Sequence, residues 1–247
     1  MKLLAFDTSA EQMTIAVSRD DGAAAAVWTL QDQGGAKASA GLIAGVLDLL
    51  RQAGLELRAL DAICFGCGPG YFTGLRTACA VAQGLAFGAG VPVLPVNSLL
   101  AVAEDARHQV AATAGTLRVH AMLDARMDEI YSAVFDYADG AWAELRPAEL
   151  LRPEAITIAA QPGGNTWAAG NVFGVYGERL SGIAADVQTI LAMPRADAML
   201  RLAPHMLAAG KAVPAEQALP TYVRDKVAQT TAEREAIKAA QAAGAQP

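Results

Sequence analysis

The chain has 247 residues, 53% apolar and 18% charged, a balance that excludes a disordered or fibrous protein and supplies enough core for one large domain or two small ones. Its formal charge of −6 argues against the chain gripping a polyanion by itself, since phosphate binding rests on basic surface. No apolar run reaches the ~18 residues of a membrane span, and Asp7 interrupts the first apolar stretch too early for a signal sequence. A soluble, cytoplasmic protein is expected.

In chain order, Leu3–Asp7, Thr14–Ser18 and Ala23–Leu30 read as three short strands joined by hairpin-length links. A polar loop over Gln31–Lys37 leads into a helical period carrying Leu42, Ile43, Val46, Leu47, Leu49 and Leu50. Asp61–Gly66 reads as a strand, Leu75–Ala89 as a helix and Val91–Val96 as a strand. Asn97 or Ser98 then caps a helix running to about Val110. Three antiparallel strands followed by right-handed βαβ crossovers predict a mixed sheet flanked by helices. The second half repeats this more loosely. Strands over Arg118–Leu123, Glu129–Tyr137 and Ala141–Leu145 precede a buried strand at Thr166–Ala169, a short helix, and a helix at Ala196–Ala208. The expected organisation is an N-terminal lobe over 1–105, a C-terminal lobe over 106–225 and a mobile, Ala- and Gln-rich tail over 226–247.

The run Gly68-Pro69-Gly70-Tyr71-Phe72-Thr73-Gly74-Leu75-Arg76 is the most informative segment. Its glycines and proline hold a strand–loop–helix corner, and Thr73 is expected as the N-cap of the following helix. Such a corner either binds an anion or makes a tight turn, and the run alone does not choose. Cys64 and Cys67 have a C-x-x-C spacing with no second pair, and His108, His120 and His205 are scattered. The cysteines therefore read as small buried residues and the histidines as ordinary ones. No H-E-x-x-H, G-x-S-x-G or Walker A run is present.

With Leu4-Ala5-Phe6-Asp7-Thr8-Ser9 before it and Leu123-Asp124-Ala125-Arg126 after it, the glycine run resembles the bacterial TsaB (YeaZ) family, from Met1 to about Arg224. The chain departs from that pattern at Tyr71, where Ser is usual, and at Ala38-Ser39, where a His-[ST] pair is common. The resemblance implies a two-lobed α/β fold of the sugar-kinase/Hsp70/actin (RNase H-like) kind, each lobe a mixed sheet flanked by helices. It implies a non-catalytic dimerisation subunit in the formation of N6-threonylcarbamoyladenosine at position 37 of tRNAs reading codons that start with A. The partners it implies are the catalytic subunit TsaD, the ATPase TsaE acting on that pair, and tRNA met through the complex; homodimerisation of the isolated chain stays open.

Kinases of this fold hold ATP phosphates between two glycine-rich hairpin turns, because glycine lets backbone amides approach the oxygens. Here the turns Asp7–Gln12 and Asp124–Asp128 contain no glycine, and the second offers two carboxylates where phosphate wants donors. A weak nucleotide contact through Asp7 remains the alternative to Asp7, Thr8 and Ser9 simply bonding their own hairpin. The catalytic relative's paired histidines are replaced here by Ser98 and Val102, so no metal is expected. Asp7, Gly68, Gly70, Thr73 and Arg76 form the expected shared ligand site. The small-residue ridges of the second helix (Ala78, Ala82 and Ala86; Ala80, Gly84 and Gly88) and the broad apolar stripe of the first point to association. Leu42, Val46, Ala78, Ala82 and Ala86 are the expected partner contacts. An ATP-dependent small-molecule kinase of the same fold is the competing reading.

Overall fold

The computed structural model describes residues 1–20, 22, 25–34, 38–110, 116–161 and 165–224; the tail expected over 226–247 lies outside them. Strands β1 (Lys2–Asp7), β2 (Gln12–Asp20), β3 (Ala25–Gln33), β4 (Ala62–Gly68) and β5 (Val93–Asn97) form one sheet in the order β3-β2-β1-β4-β5. The first three pair antiparallel, and β4 and β5 join in parallel. Helices α1 (Ala38–Ala53) and α2 (Phe72–Ala89) make the crossovers. The second sheet contains β6 (Leu117–Arg126), β7 (Glu129–Ala138), β8 (Ala141–Leu151), β9 (Asn165–Gly170) and β10 (Gln188–Leu191) in the order β10-β9-β6-β7-β8, with the short helix α4 (Phe173–Tyr176) between β9 and β10. Read from the third strand of each meander, the two sheets have the same topology, with two parallel strands added beside the first. The sequence reading lacked β10, a short strand with one buried residue, Ile190, among three exposed ones.

Strand period two explains the layers. Leu4 and Phe6 of β1 join Ile63 and Phe65 of β4 beneath α1 and α2, while Leu3, Ala5, Ala62 and Cys64 face the opposite side. That opposite side is covered by a helix from the far end of the chain, α5 (Ala196–Ala208), through Met199, Leu200 and Ala203. In turn α3 (Ser98–Val110) places Leu99, Val102, Ala103 and Ala106 against Val119, Ala121 and Leu123 of the second sheet. The boundary expected at residue 105 therefore falls inside α3, and α5, assigned to the second lobe by sequence order, packs on the first sheet.

Helix ends follow local chemistry. The side chain of Asn97 accepts hydrogen bonds from the backbone N–H groups of Leu99 at 2.8 Å and Leu100 at 3.3 Å, which makes Asn97 the cap expected there. Gly90 closes α2 in the left-handed region, its N–H donating to Ala86 O at 2.8 Å. At the other end α2 starts at Phe72 after Tyr71, which offers no capping side chain. Thr73 lies inside the helix, where its carbonyl accepts from the Thr77 hydroxyl, so the expected N-cap role is wrong.

Candidate functional site

The β1–β2 turn and the glycine run are pressed together. Ser9 O accepts from Tyr71 N at 2.7 Å, and the Thr8 hydroxyl donates to Gly74 O at 2.7 Å. A methyl added at Gly74 would stand 1.8 Å from Thr8 O, so only glycine permits this approach. Gly70 packs on Ser9 in the same way. Gly68 has φ 118°, and the carbonyl of its neighbour Cys67 accepts from Thr221 N at 2.7 Å. The loop is thus a plug seated on the first hairpin turn.

Asp7 lies under that plug with no solvent exposure. Its Oδ1 accepts from Ser9 N and Ser9 Oγ, both at 2.7 Å, and its Oδ2 from Ser98 Oγ at 3.2 Å. Burial raises its pKa to about 6, with the Ser9 and Ser98 hydrogen bonds opposing the rise. Ser98 and Val102, where the resemblance implied that paired histidines are missing, have other roles: Ser98 bonds Asp7 and Val102 is buried in the core. Among the described residues no three His, Cys, Asp or Glu side chains converge as a metal-binding group.

The five expected ligand-site residues do not form one site. Gly68 and Gly70 border the turn and Asp7 is sealed inside it, whereas Thr73 and Arg76 are exposed on the outer face of α2. Arg76 lies over the Phe72 ring at 3.9 Å and its Nε donates to Tyr222 Oη at 3.1 Å. It makes no ion pair with a carboxylate among the described residues.

A small cavity of about 170 Å³ lies beside the plug, bordered by Gly70, Tyr71, Phe72, Arg126, Tyr222 and Arg224. The Arg126 guanidinium sits 4.9 Å from the Tyr71 ring centre and bonds Glu11 at 2.9 Å, joining the two hairpin turns. Burial pushes the Tyr71 hydroxyl up to about 12, opposed by the charge of Arg126. A strap formed by residues Thr221–Arg224 closes the cavity. Tyr222 stacks on Phe72 at 5.3 Å, and Arg224 Nη2 donates to Glu129 at 2.6 Å and to the carbonyls of Ala125 and Arg126. Those carbonyls belong to a turn in which Arg126, Met127 and Asp128 all have positive φ without glycine, so the strap holds a conformation the residues themselves resist. The sequence marked Asp124–Arg126 as a motif but gave no sign that Arg224 would brace it, because Arg224 lies 98 residues beyond Arg126.

The five expected partner contacts need correction. Leu42, Val46, Ala78, Ala82 and Ala86 are at most 1% exposed and pack between the two helices and the first sheet. The small residues of α2 serve that intramolecular packing. The outward side of the same helices carries Ile43, Leu47 and Phe87, the last 82% exposed, with Ala80, Gly84 and Gly88 beside them. Leu47, Leu57, Gly84, Leu85 and Gly88 line a groove there of about 790 Å³.

Two five-stranded mixed sheets of one topology, flanked by helices, define a two-lobed α/β protein whose first hairpin turn is plugged by its own loop. Residues 37–232 match the family model described as TsaD, tRNA N6-adenosine threonylcarbamoyltransferase. The chain is 33% identical over 233 residues to the tRNA threonylcarbamoyladenosine biosynthesis protein TsaB of Escherichia coli, covering 92% of this chain and 96% of that protein. The TsaB of Haemophilus influenzae is 33% identical over 73% of this chain and 77% of its own length. Among solved structures, YeaZ from Pseudomonas aeruginosa superposes with a TM-score of 0.77 at 35% identity, covering 90% of this chain and 99% of that one. The chain belongs to the TsaB (YeaZ) family. No helix among the described residues is long and apolar enough to cross a membrane.

Proposed function

We propose that this chain serves the formation of N6-threonylcarbamoyladenosine in tRNA as a non-catalytic subunit, docking the outer face of α1 and α2 onto the catalytic subunit TsaD. The names of its relatives support the pathway. The observation that carries the docking role is the uncovered face itself: Ile43 and Leu47 are about half exposed and Phe87 nearly wholly so, next to glycines that let another helix approach. Around Gly84 and Gly88 nothing lies within 4 Å of where a side chain would begin. The sealed carboxyl of Asp7 favours support over phosphoryl transfer, since that carboxyl, the Ser9 N–H and the hydroxyls of Thr8 and Ser9 are all bonded to the chain's own residues. Thr73 and Arg76 lie along the outward stripe that continues to Ala80, Gly84 and Phe87, so a ligand they hold is shared with the partner. TsaE and tRNA then meet the pair, not this chain alone.

Co-expression with TsaD tests the reading. Phe87→Glu combined with Leu47→Glu is expected to abolish co-purification while changing Tm by no more than ~2 °C, as exposed positions allow. Undiminished complex formation by the folded double variant would remove α1 and α2 as the docking face. Micromolar Mg-ATP binding with turnover by the isolated chain would instead favour the kinase reading.

A further inference from the structure

Away from the hairpins and the docking face, α3, α5 and the β7–β8 hairpin enclose a pocket of about 650 Å³. Its organising group is Glu104, buried with a side-chain exposure of 3%. Oε1 accepts from Arg107 Nη2 at 2.8 Å and Arg201 Nε at 2.9 Å; Oε2 accepts from Arg107 Nε at 2.8 Å and the Trp142 indole N–H at 3.0 Å. Burial would raise the pKa of this carboxyl, but the Arg107 and Trp142 hydrogen bonds and the two guanidinium charges hold it below the ordinary range. Glu104 is therefore charged and fully engaged, and it fixes an indole and two guanidinium groups in a single arrangement.

Two properties of the lining specify what would fit. Trp142 and Tyr137 supply aromatic surface, their ring centres 5.0 Å apart, and Leu202 and Met206 extend it. The charge balance is positive: Glu104 and Asp197 offset Arg107 and Arg201, while Lys211 on the rim makes no ion pair with any carboxylate among the described residues. Arg201 Nη2 is buried without a hydrogen-bond partner, so the cluster holds more donors than acceptors. We propose that this pocket binds a planar aromatic ring bearing one anionic group, carboxylate or phosphate, with the ring against Trp142 and the anion at Lys211. The volume suits a ligand of mononucleotide size. The site is independent of the docking face, which lies on α1 and α2.

Titration of the full chain, followed by NMR at the Trp142 indole N–H (identified by its loss in Trp142→Phe), tests the assignment. Four probes separate the requirements: AMP, indole-3-acetate, adenosine and inorganic phosphate. At least one of the two ring-bearing anions is expected to shift the resonance saturably below about 1 mM, with adenosine and phosphate weaker by about tenfold or more. Saturation by AMP alone assigns phosphate, and by indole-3-acetate alone carboxylate. Lys211→Glu, at an exposed position outside the helices, is expected to weaken binding by about tenfold with Tm unchanged. Absence of any shift with both ring anions, equal binding of adenosine, or undiminished binding by folded Lys211→Glu would each overturn the proposal.

Discussion

Asp7 is an acid whose ionised form the fold disfavours. Its hydrogen bonds from Ser9 and Ser98 do not offset complete burial, and the pKa stands at about 6 against the ordinary 3.8. Between those values the folded chain keeps a proton that the unfolded chain has released. Its contribution is therefore full below about pH 4 and is lost as pH rises through about 6; the cost at neutral pH is about 3 kcal/mol. Asp7→Asn keeps the oxygen that Ser9 bonds and removes the titration. The stability difference between variant and wild type is expected to shift in the variant's favour by this amount between pH 4 and pH 7.5, read from urea midpoints at each pH. A difference that stays flat with pH would mean that Asp7 is hydrated and ionised as usual. The sequence placed Asp7 in a hairpin turn and offered both a self-bonded and a nucleotide-facing role. Choosing between them needed Ser98, 91 residues away, and the glycine plug, neither of which local patterning links to Asp7.

At the scale of the element, α2 shows what a helical pattern reveals and what it hides. Its end and small-residue faces were legible because glycine and the apolar period act locally, whereas its start was expected at Leu75 behind a Thr73 cap and falls at Phe72. Which small-residue ridge would be covered was not, since Ala78, Ala82 and Ala86 differ from Ala80, Gly84 and Gly88 only in the surroundings each ridge meets. The glycines record that difference. Gly74 faces the Thr8 backbone, which cannot swing aside, whereas Gly84 faces open space. Gly74→Ala is expected to lower stability by at least about 2 kcal/mol, because the glycine plug and the β1–β2 turn must part to admit the methyl. Gly84→Ala, in the exposed interior of the same helix, is expected to raise stability by about 0.5–1 kcal/mol through helix propensity. Both are measured by denaturant unfolding. A neutral Gly74→Ala would show that the plug is not held against the turn.

At the scale of the whole molecule, the two sheets repeat one topology, and this was partly legible because each lobe begins with a strand meander of alternating pattern. The exchange of helices between the lobes was not. Sequence order assigns α3 and α5 to opposite sides of residue 105, and their apolar faces state only that something covers them. In the structure α3 packs largely on the second sheet and α5 on the first, and the two helices also meet through Arg201 and Glu104. Thr14 in β2 accepts from Ala196 N at 3.0 Å, and Asp105 in α3 accepts from Met193 N at 3.0 Å, so the chain leading into α5 is pinned at two points from the other half of the molecule. Neither lobe keeps a complete core when the other unfolds, which predicts one cooperative transition. Of the three tryptophans, Trp28 packs against the first core and Trp167 lies in the second, giving a reporter for each lobe. Single-tryptophan variants retaining only Trp28 or only Trp167 are each compared with their own far-UV circular dichroism, which cancels any effect of the substitutions on overall stability. Coincident fluorescence and dichroism midpoints are expected in both variants. A Trp28 transition separated from the dichroism curve would mean that the first sheet unfolds without releasing α5, and that the exchanged helices pack on the lobes without coupling them.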